Sequence, residues 1–413
     1  MAIHFLQGGK DYFSTVKSED EQIDIIKNKI LEFFNIKNVH FLFGSGSSCP
    51  AIPNMHGLYT TIKEAISKEG DIKVEEKDLF NEISKIFEEN LEQILGVLYS
   101  KREFLRGSNS NYKEESDFKE CDKLIKFIER NIFDKLNVLS TESEHVISVL
   151  DTYKKFYQKI AIRNKDLSRI NIFTTNNDLF NETALDSLNI HYVNGFNGGL
   201  NKFFNPAMFN YTFSKRMDTT IDRYEPVENM VYLYKIHGSI NWKEDSSNNS
   251  YFDIKEEYFP TYDDKTVLIY PTPLKQNKSL GSPYSDLFRE FQHKLLEANS
   301  VLFVIGYSFS DEHVNDIIYR ALATNSTFNL IIIDNIKEDK QICKVGDNRV
   351  FRIWEDCASD DTPIHYFSRI VDELLPDLNA FKHKDALQEF IKQLKSNVKG
   401  IYDENRKDYI SGV

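Results

Sequence analysis

Several apolar runs in this chain stop abruptly at small, polar or titratable residues, and helical segments separate one run from the next. That recurrence restricts the possible folds more than any bulk property. The plainest case is Ile172-Phe173-Thr174-Thr175-Asn176-Asn177-Asp178, where a strand beginning at Arg169 ends in carboxamide and carboxylate side chains. Asp178 is placed to cap a helix starting near Leu179. Asn38 to Phe43 likewise runs into Gly44-Ser45-Gly46-Ser47-Ser48-Cys49-Pro50, and Met230 to Ile236 into His237-Gly238-Ser239. Ser300 to Ile305 gives way to Gly306-Tyr307-Ser308-Phe309-Ser310-Asp311 ahead of a helix near Glu312, and Asn329 to Ile333 ends at Asp334. Strands alternating with helices imply parallel βαβ units covered on both faces. The expected fold is α/β, a Rossmann-like doubly wound parallel sheet, in which the carboxyl ends of the strands share one crevice. Singly, each polar end has an ordinary account: a core histidine, a helix cap, a turn glycine. Together they mark a site.

The remaining segments fit around that sheet. Ser18-Glu19-Asp20-Glu21 reads as a capping box for a helix carrying Ile23, Ile26, Ile30 and Phe33. From Gly70 to about Lys165 the pattern is long and helical, with apolar faces at Leu79 to Leu98, at Phe118 to Ile132, and at Val146, Val149, Leu150, Tyr153 and Phe156, the last helix capped by Thr141 with Glu144. We expect a single domain over 1–413, a helical insertion within it over 70–165 whose faces pack on one another, and a segment over 336–413 that closes the sheet. That segment would hold a strand from Arg349 to Trp354 and helices near Ile364 to Leu375 and Ala386 to Val398. Asn189 to Val193 and Thr266 to Tyr270 read as further strands, Pro271 to Lys275 as a stiff loop, Tyr284 to Ala298 as a helix, and Gly107 to Tyr112 as a polar surface loop. The aromatic stretch Phe203 to Phe213 reads as core that partly floors a pocket.

Composition narrows the function classes. The formal charge is −13, with 51 basic against 64 acidic residues and no dominant Lys/Arg cluster, which argues against direct binding of nucleic acid. Cys49, Cys121, Cys343 and Cys357 include no CxxC pair, so neither a zinc ribbon nor a disulfide framework is readable. No run approaches the roughly 18 apolar residues of a membrane span. A cytoplasmic protein is expected.

The order of the strand ends resembles a family. The glycine-serine loop looks like the GAGxS nucleotide loop of sirtuins, Thr174-Thr175-Asn176-Asn177-Asp178 like their TQNxD, and Lys235-Ile236-His237-Gly238-Ser239 like their catalytic-histidine strand, while Gly306-Tyr307-Ser308-Phe309 stands where they carry GTSL. The likeness is nearest to the divergent sirtuin-like domains of bacterial anti-phage proteins, with Ile305 to Asn315 similar to their "IGYSFxDxHxN". It covers roughly residues 38 to 60 and 168 to 335. The two CxxC pairs of the protein-deacylating members have no counterpart here, so one wall of an acyl-lysine cleft is missing and no metal is expected. What the resemblance implies is NAD as substrate, hydrolysed to nicotinamide and ADP-ribose, in an NAD-depleting effector that forms a homo-oligomer or is controlled by a DNA-translocase ATPase of the HerA type. The alternatives are a non-catalytic scaffold that binds NAD or ADP-ribose, and, less favoured, a protein deacylase.

The residues suit that reaction. The nicotinamide-ribose bond joins a cationic leaving group to a ribose, so it breaks through an oxocarbenium-like state without acid assistance. Asn176 would hold the ribose hydroxyls or a water, and His237 would accept a proton from one of them. Asp178 would orient both or favour the developing cation. Gly44, Ser45, Gly46 and Ser48, with Gly306 and Ser308, would cradle the pyrophosphate, and Asp334 would accept the adenosine ribose hydroxyls.

Overall fold

The computed structural model describes residues 2–13, 18–108, 115–218, 222–245, 253–268 and 282–376, apart from short gaps at 69, 71, 88–89, 162, 164–165, 264–265 and 357–361. Cys357, the loop Pro271 to Lys275, most of the loop to Tyr112 and the helix expected over Ala386 to Val398 lie outside the described residues.

Its centre is a nine-stranded sheet. An N-terminal hairpin, β1 (Ile3–Gln7) and β2 (Lys10–Asp11), is followed by β3 (Asn38–Phe43), β4 (Ile170–Thr174), β5 (His191–Val193), β10 (Met230–Lys235), β14 (Ser300–Ile305), β15 (Phe328–Ile333) and β16 (Val350–Glu355), in the order β2-β1-β16-β15-β14-β3-β4-β10-β5. From β16 to β5 every pairing is parallel. After β3 the chain builds outward through β4, then crosses back to lay β14 on the other side, so the winding reverses at the β3–β14 seam. The doubly wound reading holds. The hairpin, antiparallel to β16, was not foreseen, because Ile3–Gln7 is short and half of it is only partly buried.

Period-two alternation supplies both faces of the sheet. Val39, Phe41 and Phe43, Ile170 and Ile172, and Val301, Phe303 and Ile305 join one cluster with helices α1 (Glu19–Phe34), α6 (Glu144–Ile160) and α7 (Phe180–Ser187). Leu42, Phe173, Leu302 and Val304 face the other way, under helices Tyr284–Leu296 and Glu312–Thr324. On that second face the buried His40, Asn171 and Tyr234 form a polar line across three strands, with Asn171 Nδ2 3.2 Å from His40 Nδ1 and the Tyr234 hydroxyl donating to Asn171 Oδ1 at 3.2 Å. Burial first, then the charges of Lys294 and Arg163, push the His40 imidazole down to about 3. It is neutral, and a one-residue slip of β3 or β4 would strand it in hydrocarbon.

The helical block divides between two cores. Helices α2 (Met55–Lys68), α3 (Val74–Ile86), α4 (Leu91–Ser108) and α5 (Ser116–Leu136) share a cluster of their own with Ile240, whereas the face of α6 carrying Val146, Val149, Tyr153 and Phe156 packs on the sheet. The α6 cap also differs. Ser143 is its N-cap, and the Thr141 hydroxyl donates instead to Val138 O at 2.6 Å. At α1 the expected serine cap is present, Ser18 Oγ accepting from Glu21 N at 3.4 Å.

A second, five-stranded sheet was missed. It runs β13-β11-β12-β7-β6, from β6 (Phe196–Asn197), β7 (Lys202–Phe204), β11 (Gly238–Glu244), β12 (Ile254–Glu256) and β13 (Thr266–Leu268). Four of its members are three residues or fewer, too short for a readable alternation. The described part of the strand expected over Thr266 to Tyr270, Thr266–Leu268, therefore belongs to an antiparallel sheet and not to the parallel one. Phe204 and Phe209 of the aromatic stretch are core, the first tilted beside Trp242 and the second stacked on Tyr234, while Phe213 is exposed.

Candidate active site

The carboxyl ends of four adjacent strands stop at one level. Ile305, Phe43, Thr174 and Lys235 are successive register partners across β14, β3, β4 and β10. The ladder then carries on for one more bond in each gap: Gly44 N to Ile305 O, Thr175 N to Phe43 O and Ile236 N to Thr174 O, all at 3.0 Å. Everything polar in the sequence motifs begins just beyond that line. Asn176 and His237 each stand two residues past a paired position on neighbouring strands.

Asn176 is buried and its orientation is forced. Its Nδ2 donates to Gly44 O at 3.0 Å, and Ser47 Oγ and Ser48 Oγ lie 3.1 and 3.0 Å away. A carbonyl only accepts, so the nitrogen must face it, and Oδ1 is turned elsewhere. Ser47 Oγ gives its own proton to Gly44 O at 2.8 Å and lies 2.8 Å from the Tyr153 hydroxyl, which must then donate to it. Ser48 Oγ donates to Asp178 Oδ2 at 2.7 Å, and Asp178 Oδ1 accepts from Phe180 N at 3.1 Å. The hydroxyl protons of Ser47, Ser48 and Tyr153 thus each have a direction. The N-cap of α7 is Leu179 rather than Asp178, which lies one residue earlier, bonds the helix's first amide and braces the serine loop beneath Asn176. Burial pushes its carboxyl up, opposed by the Lys235 charge and the Ser48 bond. Burial, and then the Asp178 charge, also raises the Tyr153 phenol.

The glycines serve the protein's own backbone. Gly44 N, Gly46 N, Ser47 N and Cys49 N already donate to Ile305 O, Gly306 O, Gly44 O and Gly46 O. An open nest of amides is thus not what the loop offers, and α2 begins only at Met55. A Cβ on Gly44 would come within 2.4 Å of Gly306 O, and one on Gly306, which sits at φ +64, within 2.5 Å of Ser47 N. These positions are glycine because two loops touch at the β3–β14 seam.

His237 stands just past the end of the neighbouring strand, β10. Its Nε2 lies 3.1 Å from Asp311 Oδ2, and both side chains are about nine-tenths buried. Asp311 Oδ1 in turn accepts from His313 N at 3.0 Å and Val314 N at 3.3 Å, capping the helix Glu312–Thr324. Asn177 closes the gap between loops: its Nδ2 donates to His237 O at 2.7 Å and Gly238 O at 3.1 Å, and its carbonyl accepts from Ile240 N at 3.0 Å. Beneath it, buried Lys235 donates to Asn177 O at 3.3 Å, to Asp178 O, and to Ser239 Oγ at 2.6 Å, and pairs with Glu182 at 2.9 Å.

Asn176, Asp178, Ser48, Gly44, Gly46 and Gly306 are thus joined directly, and His237 through Asn177 and Asp311. Ser45 and Ser308 are exposed, and Ser308 Oγ lies 2.9 Å from Ser310 Oγ. Asp334, half-buried at the end of β15, makes no hydrogen bond or ion pair to Asn176 or His237 among the described residues. Sequence reasoning did not pick out Asp311, Asn177, Lys235 with Glu182, or Tyr153 as site residues. The first three stand inside the quoted motif strings, which was the available signal, whereas Tyr153 was counted as an apolar-face residue.

Burial pushes the Asp334 carboxyl up to about 6 from its ordinary 3.8. A raised folded-state value means that the folded protein holds the proton longer, so stability falls as pH rises from about 4 through 6. Asp334→Asn should therefore raise the melting temperature at pH 8, by up to about 2 kcal/mol of stability, and change little at pH 4. Thermal unfolding at the two pH values checks this; an equal effect at both would overturn it.

Among the described residues no group of three or more His, Cys, Asp or Glu is placed to hold a metal ion, and no helix is long and apolar enough to cross a membrane. Among solved structures, the fold is similar to a Sir2 enzyme described for its mechanism and regulation, at 10% identity and a TM-score of 0.39, covering 87% of this chain and 99% of that one. It is also similar to a Sir2–p53 peptide–NAD+ complex, at 12% identity and a TM-score of 0.32, covering 75% of this chain and 88% of that one. No curated protein matches the sequence. Residues 170–350, the span that carries Asn176, His237, Gly306 and Asp334, match the family model described as the SIR2-like domain.

Proposed function

We propose that the chain hydrolyses NAD at the nicotinamide-ribose bond. The observation that supports this reading is the common level of four strand ends, with a directed carboxamide two residues past one of them and an imidazole 3.1 Å from a carboxylate two residues past its neighbour. The SIR2-like match over 170–350 supports the choice of dinucleotide.

In the proposed reaction the C–N bond electrons leave with nicotinamide, whose ring nitrogen goes from cationic to neutral, so no proton is needed for departure. Water attacks the ribose carbon, and its proton passes to His237. Asn176 Oδ1, directed away from Gly44 by the bonds to Nδ2, accepts from a ribose hydroxyl or the attacking water. Asp178, with both oxygens already bonded, acts through the serine loop rather than on substrate. Gly44, Ser45, Gly46 and Gly306 give a low rim over which a pyrophosphate passes, with Ser45 and Ser308 as the exposed hydroxyls. Asp334 accepts the adenosine ribose hydroxyls.

The resemblance over 38–60 and 168–335 extends the proposal to an NAD-depleting effector under the control of an assembly or a DNA-translocase ATPase. Incubating the purified chain with NAD, alone and with the product of the neighbouring gene, should yield nicotinamide and ADP-ribose in equal amounts. NAD bound but recovered intact under both conditions would leave a scaffold. Nicotinamide formed only with an acylated peptide would make the chain a deacylase.

A further inference from the structure

We propose that Asp311 is a positioning residue that fixes the tautomer of His237, holding the imidazole with its proton on Nε2 and its basic lone pair on Nδ1. This deepens the hydrolase reading and rests on it only for the kinetic consequence.

The helix Glu312–Thr324 sets the carboxylate. Oδ1 of Asp311 is committed to two main-chain donors, His313 N and Val314 N, and main-chain amides can be satisfied only by an acceptor. With one oxygen pinned, the plane of the carboxylate is set, and Oδ2 is presented 3.1 Å from His237 Nε2. A carboxylate oxygen also only accepts. A neutral imidazole facing it must carry its proton on Nε2, and Nδ1 is left as the nitrogen able to take a proton. The side chains of His237 and Asp311 are 10% and 8% exposed, so water does not compete freely for the contact and the preference is strong. The same carboxylate stabilises the imidazolium that forms once a proton has been accepted, as the acidic member of a hydrolase triad does.

The cap makes the inference unusually testable. In Asp311→Asn the two amides still demand an oxygen, so the side-chain NH2 must turn toward His237. A donor now faces Nε2, the proton moves to Nδ1, and the base is lost although the helix keeps a good cap. Asp311→Ser keeps a cap and removes the partner altogether.

With histidine labelled in nitrogen-15 and the His237 signals assigned through His237→Gln, NMR at about pH 8.5, where imidazoles are neutral, should show the Nε2–H form in the unaltered protein. Asp311→Asn should show the Nδ1–H form, and Asp311→Ser a mixture. In the kinetic arm, kcat for nicotinamide release should fall at least about tenfold in both variants while KM changes little and thermal unfolding stays near that of the parent. An Nδ1–H tautomer in the unaltered protein, or the same tautomer in the protein and in Asp311→Asn, would overturn the inference whether or not the chain cleaves NAD. Turnover in Asp311→Asn equal to that of an active parent would overturn it as well. A parent that releases no nicotinamide under any condition sinks the hydrolase reading alone, and the NMR arm still decides the tautomer.

Discussion

His237→Ala is expected to slow nicotinamide release by about 10²- to 10⁴-fold, the usual worth of a positioned general base, with a melting temperature close to that of the unaltered protein. Among the described residues the polar contact of the imidazole is Asp311, which keeps its cap bonds in the variant, so no buried donor is orphaned. Asn176→Ala should lose activity to a similar degree, but for a mixed reason. It removes the group assigned to the ribose and also withdraws a donor from Gly44 O and the two serine hydroxyls, which should cost about 1 to 3 kcal/mol of stability. Measuring single-turnover nicotinamide release beside urea unfolding separates the two variants. Turnover within threefold of the parent in His237→Ala would remove the histidine from the chemistry.

The second large effect is on stability. Lys235 is 1% exposed, pairs with Glu182 at 2.9 Å and donates to two main-chain carbonyls and Ser239. Lys235→Met should destabilise the fold by about 3 to 5 kcal/mol at pH 8, because an uncompensated carboxylate is left in the interior. The pH dependence is the diagnostic part. Burial already pushes the Glu182 carboxyl up, held back chiefly by Lys235. Without the lysine it rises further, so the folded variant holds the Glu182 proton across a wider range and loses stability as pH climbs through it. The deficit should shrink toward pH 5. Adding Glu182→Leu to Lys235→Met should recover much of the loss at pH 8, though not the activity, since Asn177 and Asp178 have lost the donor that seats their loop. A single variant less than about 1 kcal/mol below the parent at pH 8 would mean that the interior there is wetter than the burial suggests.

The sequence disclosed the sheet well and the small sheet poorly, for one physical cause. A strand covered on both faces needs a mostly apolar run, and Asn38–Phe43, Ser300–Ile305 and Met230–Lys235 are such runs, legible to the residue or nearly so. The strands of two or three residues in the antiparallel sheet hold too few residues to show a period. The site divides in the same way. Asn176, Asp178 and His237 were visible because a polar group at the end of an apolar strand is out of place unless something uses it. Which atoms meet was not visible: that Gly44 and Gly46 touch Gly306 rather than leave an amide nest open, and that the imidazole partner is Asp311, are facts of crossing order, set by β14 returning beside β3.

Only Ile236 and His237 separate the last residue of β10 from the first of β11, so the imidazole rides on the short link where the parallel sheet hands the chain to the antiparallel one. Asn177 pins the main chain of that link to the loop bearing Asn176, whereas Asp311 belongs to a different loop. Asn176 itself is held by Gly44, Ser47 and Ser48 of the loop after β3, so the link bearing His237 is tied through Asn177 to a carboxamide anchored on the opposite loop. Through Ile240, packed among α2 to α5, the start of β11 joins that link to the helical block as well.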